Sequence, residues 1–431
     1  MNEMQLGELL SERGITYGVV KPGDHTPGGI PLLKAADVGN GTVNTAPAFR
    51  ISHDKHREHR RTELTGGELL ITLVGTPGQC AIAPAETRGF NVVRAVGVFS
   101  VEPSAFNRYV MYAIQAPSSQ HHIKTICNTT VQATLNLGDL KSLSLRIPSL
   151  PEQKAIAHIL GTLDAKIELN RKTNETLEAM AKALFQSWFV DFDPVRAKAE
   201  GRPTGLPDEI SDLFPDSFEE SELGEIPRRW EIAAIERIVN LRKDSVNPSD
   251  SPEEEFDHYS IPAFDAGKSP SREAGETIKS QKFLVGENDL LVSKLNPATP
   301  RIWIPFSSSA RRSICSTEFL VCQASTGFGR AFAYCLASSD SIIEAMIGLA
   351  GGTSNSHQRI RPGDFLALAC CMGSQQIRSA FSDVVEPLLG KTLALRTESR
   401  SLASARDTLL PKLISGELRI PEAEKLVSDL R

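Results

Sequence analysis

No stretch of 18 consecutive apolar residues occurs in this 431-residue sequence, which excludes an ordinary membrane-spanning helix. The opening, MNEMQLGELL, lacks the basic segment and apolar core of a secretory leader, so a cytoplasmic location and no membrane partner are expected. Cys-x-x-Cys spacing is also absent. The 7 cysteines are an odd number and read as reduced core thiols, not as a disulfide frame or zinc site. There is no Gly-x-x-x-x-Gly-Lys-Ser/Thr phosphate loop, and no Ser/His/Asp or Cys/His set stands out as nucleophilic machinery. Gly327-Phe328-Gly329 alone does not specify a nucleotide-binding turn. No catalytic residue, metal or bound cofactor is therefore assigned to the chain. What is present is ordinary globular material, 40% hydrophobic and 23% charged, too long for one core and expected to form two or three domains.

The net charge of −6 is unevenly spread. Residues 208–225 carry eight acids and no base, and without them the formal charge becomes +2. The acidic excess sits in one connection, 191–227, which also holds Gly201, Pro203, Gly205 and Pro207 and is expected to be partly ordered at best. Acidity of this kind does not argue strongly against a polyanionic ligand, though it implies that a partner supplies part of any phosphate contact.

The most informative pattern is a heptad. Steps of 4 and 3 from Ile156 reach Leu160, Leu163, Ile167, Asn170, Asn174, Leu177, Ala181, Leu184 and Trp188. The same steps begin again 221 residues later at Ile377 and reach Phe381, Val384, Leu388, Lys391, Leu395, Glu398, Leu402, Ala405 and Leu409. An apolar repeat of this period is the seam of a coiled coil. Ser149, Pro151 and Glu152 mark the start of the first helix, about 39 residues and so roughly 58 Å long. Pro387 interrupts the second pattern and should kink or break that helix. The polar core positions Asn170, Asn174, Lys391 and Glu398 either face solvent or fix the register of paired helices.

Strand signals precede each helix. GELLIT (67–72) recurs as NDLLVS (288–293) at the same 221-residue offset. Leu137-Gly138-Asp139-Leu140 recurs as Pro362-Gly363-Asp364-Phe365. A Thr/Ser/Asn-rich loop precedes each, Asn128 to Gln132 and Thr353 to Gln358. The chain therefore reads as a tandem duplication of a mixed α/β domain plus a long helix. The expected divisions are 1–150, the helix 151–190, the acidic connection 191–227, the second domain 228–372, the helix 373–412 and a tail 413–431. Pseudo-symmetry of this kind suits a reader of two separated half-sites, with DNA the obvious ligand.

Several segments resemble one known family. Pro148-Ser149-Leu150-Pro151-Glu152-Gln153, the Leu163-Asp164 start of the seam, and LFQSWFVDFDP (184–194) are very like the central conserved region of the specificity subunits of type I restriction-modification enzymes. DTLLPKLISGE (407–417) resembles the family's C-terminal conserved region. YGVVKPGDHTPGGIPLLKAADV (17–38) and Ile226-Pro227-x-x-Trp230 resemble the openings of its two recognition domains. Gly373-Ser374-Gln375-Gln376-Ile377 departs from the expected opening of the second helix, and the N-terminus has no counterpart of Trp230. The resemblance implies an α+β protein with two target-recognition domains in tandem, separated by two long helices forming an antiparallel coiled coil. It implies a non-catalytic subunit that reads one half of a split duplex DNA target with each domain, the helices setting the unread spacer. Two methyltransferase subunits, using S-adenosylmethionine to methylate adenine N6, and restriction/translocase subunits that cut unmethylated DNA, are the implied partners. Consistent with that division, the chain lacks the Asn/Asp-Pro-Pro-aromatic signature of adenine methyltransferases; Asn296-Pro297-Ala298 is the nearest and does not fit.

Candidate DNA contacts are read from residue type and place. The run Arg50–Arg61 has five Lys/Arg against two acids. Lys55, Arg57, Arg60 and Arg61 could line a phosphate strip or a solvated helix face. His53, His56 and His59 lack the neighbours that would complete a metal shell. Thr76, Gln79, His121, His122, Lys124 and Gln132 in the first domain, and Lys294, Asn296, Arg301, Arg311, Arg312, Gln358, Arg359 and Arg361 in the second, fall in expected loops or strand ends. Arg suits guanine, and Asn or Gln adenine, in the major groove. The helix-pair or partner interface is assigned to Ile156, Leu160, Leu163, Ile167, Leu177, Leu184, Trp188, Phe381, Val384, Leu388, Leu395, Leu402 and Leu409, with Trp188 and Phe189 as a core cap. Two rival readings are a coiled-coil scaffold that does not read DNA and a self-sufficient enzyme, the latter opposed by the missing motifs.

Overall fold

The computed structural model describes the chain apart from Met1, 128–132, Leu223, 307–310, 352–357 and 429–431. It divides into two compact units, Met1–Glu168 with Ser401–Arg431, and Leu169–Arg400.

In the first unit, short apolar strands form a four-stranded antiparallel sheet in the order Thr16–Tyr17, Val96–Phe99, Leu69–Thr72, Cys80–Ile82. A second sheet holds Arg50–Ile51, Ile30–Leu33 and Asn91–Val92, with Leu32 and Asn91 in a parallel pair. The N-terminal strand Asn2–Gln5 pairs antiparallel with Ser144–Ile147, just before the first long helix. Helix Asn107–Gln115 covers the larger sheet, with Tyr109 to Ile114 all buried.

The second unit repeats this plan. Its four-stranded sheet runs Val239–Arg242, Phe319–Ala324, Asp289–Ser293, Ile302–Trp303. A five-stranded sheet again contains one parallel pair, Phe256 with Arg312. Strand Glu231–Ala234 closes on Ala369–Met372 just before the second long helix. NDLLVS thus occupies the place of GELLIT, as the repeat implies. The architecture is two mixed α/β domains in tandem, each followed by a long helix.

The two long helices are Leu150–Phe189 and Gln375–Ser415, and they pack against each other. In the second unit they run antiparallel, because Asn170 meets Glu398 whereas Phe185 meets Phe381. Every apolar position of the first heptad is buried or half-buried. In the first unit Ile156, Leu160 and Leu163 share a core with Leu402, Leu409, Leu410 and Leu413.

The second helix departs from the expected heptad. Val384 is 40% exposed, Leu388 is half-buried and Lys391 is exposed; Val385, Leu389 and Thr392 are buried instead. From Ile377 the buried positions step by four through Phe381, Val385 and Leu389, because here the helix also covers its own domain, including Phe332. A straight helix facing a domain keeps closer to its natural 3.6-residue period than a two-helix seam does.

Two further expectations give way. Pro387 lies within the unbroken helix Gln375–Ser415. It sits on the exposed face, where water can serve the carbonyl left without its N–H partner. The acidic connection is folded: helices Asp193–Ala199 and Asp208–Ser211 lead into the hairpin Phe218–Ser221/Gly224–Pro227. Its apolar residues Phe192, Val195, Phe214 and Ile226 are buried. Trp188 receives Phe214 edge-on at 5.2 Å, and Phe189 lies 5.7 Å from Trp230. Beyond residue 413, helix Ile420–Ser428 buries Ala423 and Val427.

All 7 cysteines are free, and burial raises the Cys335 and Cys370 thiols to about 12. Among the described residues no single helix is long and apolar enough to cross a membrane.

Candidate nucleic-acid interface

One backbone crossing brings candidate residues of the first domain together. At the end of strand Leu69–Thr72, the Leu73 N–H donates to the Ala95 carbonyl at 2.8 Å. The Leu135 N–H donates to the Leu73 carbonyl at 2.8 Å, and the Gly75 N–H to the Ala133 carbonyl at 3.1 Å. The turn carrying Thr76 and Gln79 therefore lies beside the chain that follows residue 132. The Thr72 hydroxyl closes that turn, donating to the Thr76 carbonyl at 2.5 Å and accepting from the Gln79 N–H at 3.0 Å. Gly75 and Gly78 supply its left-handed backbone, φ +89° and +95°. Helix Pro117–Ile126 backs the turn through Gln120, whose amide donates to the Gly78 carbonyl at 2.9 Å. His121 and Lys124 are exposed next to Gln120 and Ile123 on that helix. His122 lines a different groove, with Ser144, Arg146 and Lys412. Gln132 lies outside the described residues.

The second domain contains the same crossing. The Lys294 N–H donates to the Glu318 carbonyl at 2.8 Å, the Ile360 N–H to the Lys294 carbonyl at 3.1 Å, and the Asn296 N–H to the Gln358 carbonyl at 2.8 Å. Leu295 bridges Arg359 as Val74 bridges Thr134. Asn296 takes the left-handed place of Gly75, at φ +49°. Lys294, Asn296, Gln358 and Arg359 are thus gathered at one sheet end, with exposed Arg361 two residues on, capping helix Pro362–Leu366. Lys294 and Arg361 make no ion pair among the described residues.

The other arginines are held elsewhere. Arg301 binds Asp265 through two nitrogens at 2.7 and 2.9 Å, its side chain only 11% exposed. Arg311 pairs with buried Asp257 at 3.2 Å. Arg312 binds Glu254 at 2.6 Å and lies over the Phe256 ring. Arg359 is itself gripped by Glu318, from Nε at 3.0 Å and Nη2 at 3.1 Å. These acids stand 36 to 58 residues from their arginines in sequence, so no local pattern announced them.

Three cations of the basic run are also paired with nearby acids. Ser52 caps helix His53–Glu58 by accepting from the Lys55 N–H at 3.2 Å. Lys55 binds Glu58 at 2.6 Å and holds that carboxyl below its ordinary range. Arg57 pairs with Asp54, and Arg60 with Glu63 at 3.6 Å. The carbonyl of Arg61 accepts from Arg13. His56 faces Glu63 at 3.5 Å, and His59 Nδ1 lies 3.2 Å from the Lys55 carbonyl. No group of three His, Cys, Asp or Glu side chains among the described residues could hold a metal. Among the described residues, no hydrogen bond of the run reaches the turn that carries Thr76.

A family model described as the type I restriction modification DNA specificity domain matches residues 14–179. The chain is 26% identical over 378 residues to the type I restriction enzyme MjaIX specificity subunit of Methanocaldococcus jannaschii, covering 83% of this chain and 78% of that one. It is 28% identical over 342 residues to the HindI specificity subunit of Haemophilus influenzae, covering 66% and 71%. Among solved structures, the S subunit of a type I system from M. genitalium superposes with a TM-score of 0.54 over 96% of this chain and 95% of that one. At 17% identity this is a likeness of fold.

Proposed function

We propose, from the premise that this chain belongs to the type I restriction-modification specificity subunits, that each of its two domains reads one half of a split duplex DNA target. The observation that carries the reading is the duplicated crossing: one backbone frame, built twice, presenting different side chains at its loop ends. A frame that stays constant while its exposed residues diverge is what two readers of different sequences require. The long helices set the unread spacer. Catalysis belongs to two methyltransferase subunits that use S-adenosylmethionine to methylate adenine N6, and restriction/translocase subunits act on unmethylated DNA. This chain contributes binding and supplies none of the reacting groups.

The test is duplex binding by the full chain assembled with its methyltransferase partner, across a salt series. A specific site should be bound at least about a thousandfold more tightly than random duplex. Equal affinity for all duplexes would favour a scaffold. One observation gives that alternative its weight: Arg301, Arg311, Arg312 and Arg359 are already neutralised by carboxylates.

A further inference from the structure

The two crossings share their backbone hydrogen bonds but not their side chains. Where the first domain has Leu73, Gly75, Ala95, Ala133 and Thr134, the second has Lys294, Asn296, Glu318, Gln358 and Arg359. Among the described residues at these positions, only the second domain has a cation and its carboxylate. The Arg359 side chain remains 48% exposed although Glu318 grips it at two nitrogens.

That grip decides what Arg359 can bind. Nε and one edge of Nη2 are occupied, so among the described residues three donors remain unpaired, two on Nη1 and the outer hydrogen of Nη2; one from each nitrogen forms a parallel pair in the guanidinium plane. A phosphate approaching them would bring a second anion beside Glu318, and the charge of Arg359 that should attract it is already balanced. Guanine O6 and N7 are neutral acceptors spaced for two parallel donors, and they carry no such penalty. The carboxylate also fixes the rotamer, so little side-chain freedom remains to be lost on binding.

Resting on the proposed DNA-reading function, we infer that Arg359, oriented by Glu318, reads a guanine in the half-site of the second domain. Arg359 is then the base-contacting residue and Glu318 its positioning residue. Lys294 and Arg361, without acid partners among the described residues, are left for phosphate.

The experiment uses the full chain in complex with its methyltransferase partner. Its probes are duplexes carrying the wild-type methylation motif, each base pair replaced singly, across a salt series. Arg359→Ala should lose discrimination at one G·C pair by roughly 5- to 150-fold, leave the other positions unchanged, and keep the salt slope. Placing 7-deazaguanine at that position should weaken wild-type binding and leave Arg359→Ala indifferent. Glu318→Gln should raise affinity for random duplex and steepen the salt slope, because it releases an unbalanced cation. A uniform loss on every duplex with a slope lower by about one would make Arg359 a phosphate contact and overturn the inference. So would unchanged discrimination at every position, or a wild-type motif with no G·C pair. If the wild-type complex itself shows no sequence preference, the parent reading fails and this inference with it. Arg359 is exposed and Glu318 half-buried, and circular dichroism of the variants separates misfolding from lost recognition.

Discussion

Asn170 on the first long helix donates a 2.7 Å hydrogen bond to Glu398 on the second, and is itself only 1% exposed. Its amide also reaches the Ser399 hydroxyl at 3.3 Å. A polar pair at a coiled-coil core position makes one register of the two helices better than its neighbours, because a slip would bury the amide unpaired. Asn170→Ala should destabilise the protein by about 1–3 kcal/mol, read as a fall in unfolding midpoint with unchanged denaturant slope. A variant as stable as wild type would leave the bond with no part in stability.

Glu178 forms a second polar joint. It binds Lys268 at 2.7 Å and pairs with Arg396. Burial alone would raise its carboxyl, but Lys268 and Arg396 outweigh burial and hold it below the ordinary value. A depressed folded value gives stability that is present above the unfolded carboxylate value, about 4.3, and is lost as the pH falls through the lower folded one. Glu178→Gln should flatten this acid limb of the stability profile. An unchanged limb would move the effect to other carboxylates.

Phe214 shows why the acidic connection folds. It is 2% exposed and meets Trp188 edge-on. Phe214→Ala should cost about 3–5 kcal/mol, whereas Glu220→Gln, on the exposed hairpin, should cost under about 0.5 kcal/mol. Equal effects in thermal melts would contradict the assignment of stability to the aromatic cluster.

Pro387 tests the unbroken helix. Pro387→Ala restores a backbone donor at an exposed position and should stabilise, by up to about 3 kcal/mol. A loss of stability would show that the proline's fixed backbone is needed there.

Much of this architecture was legible in the sequence because it rests on local periodicity. The first heptad, the strands GELLIT and NDLLVS and the tandem repeat all follow from spacing alone. The second heptad misplaced Val384 and Leu388 because a two-helix template ignores the domain that also packs against that helix. The folding of the acidic connection was missed for a related reason. Composition weighed the eight acids of 208–225 and not the four apolar side chains of the connection, Phe192, Val195, Phe214 and Ile226, that become buried. The candidate interface was legible in part: residue type drew attention to Lys294, Asn296, Gln358 and Arg359, and the crossing gathers them. What no local pattern contains is the set of opposing carboxylates. Asp265 ends a helix, Asp257 lies in a strand, and Glu254 and Glu318 flank strands; they turn apparent free cations into oriented or spent ones.

The most direct measurement of the central claim is single-molecule sequencing of DNA from cells expressing this chain together with the proposed methyltransferase partner. N6-methyladenine is expected in a split motif with two defined halves and a fixed unread spacer, lost when this chain is omitted. Methylation of an undivided motif, or a pattern that persists without this chain, would contradict it.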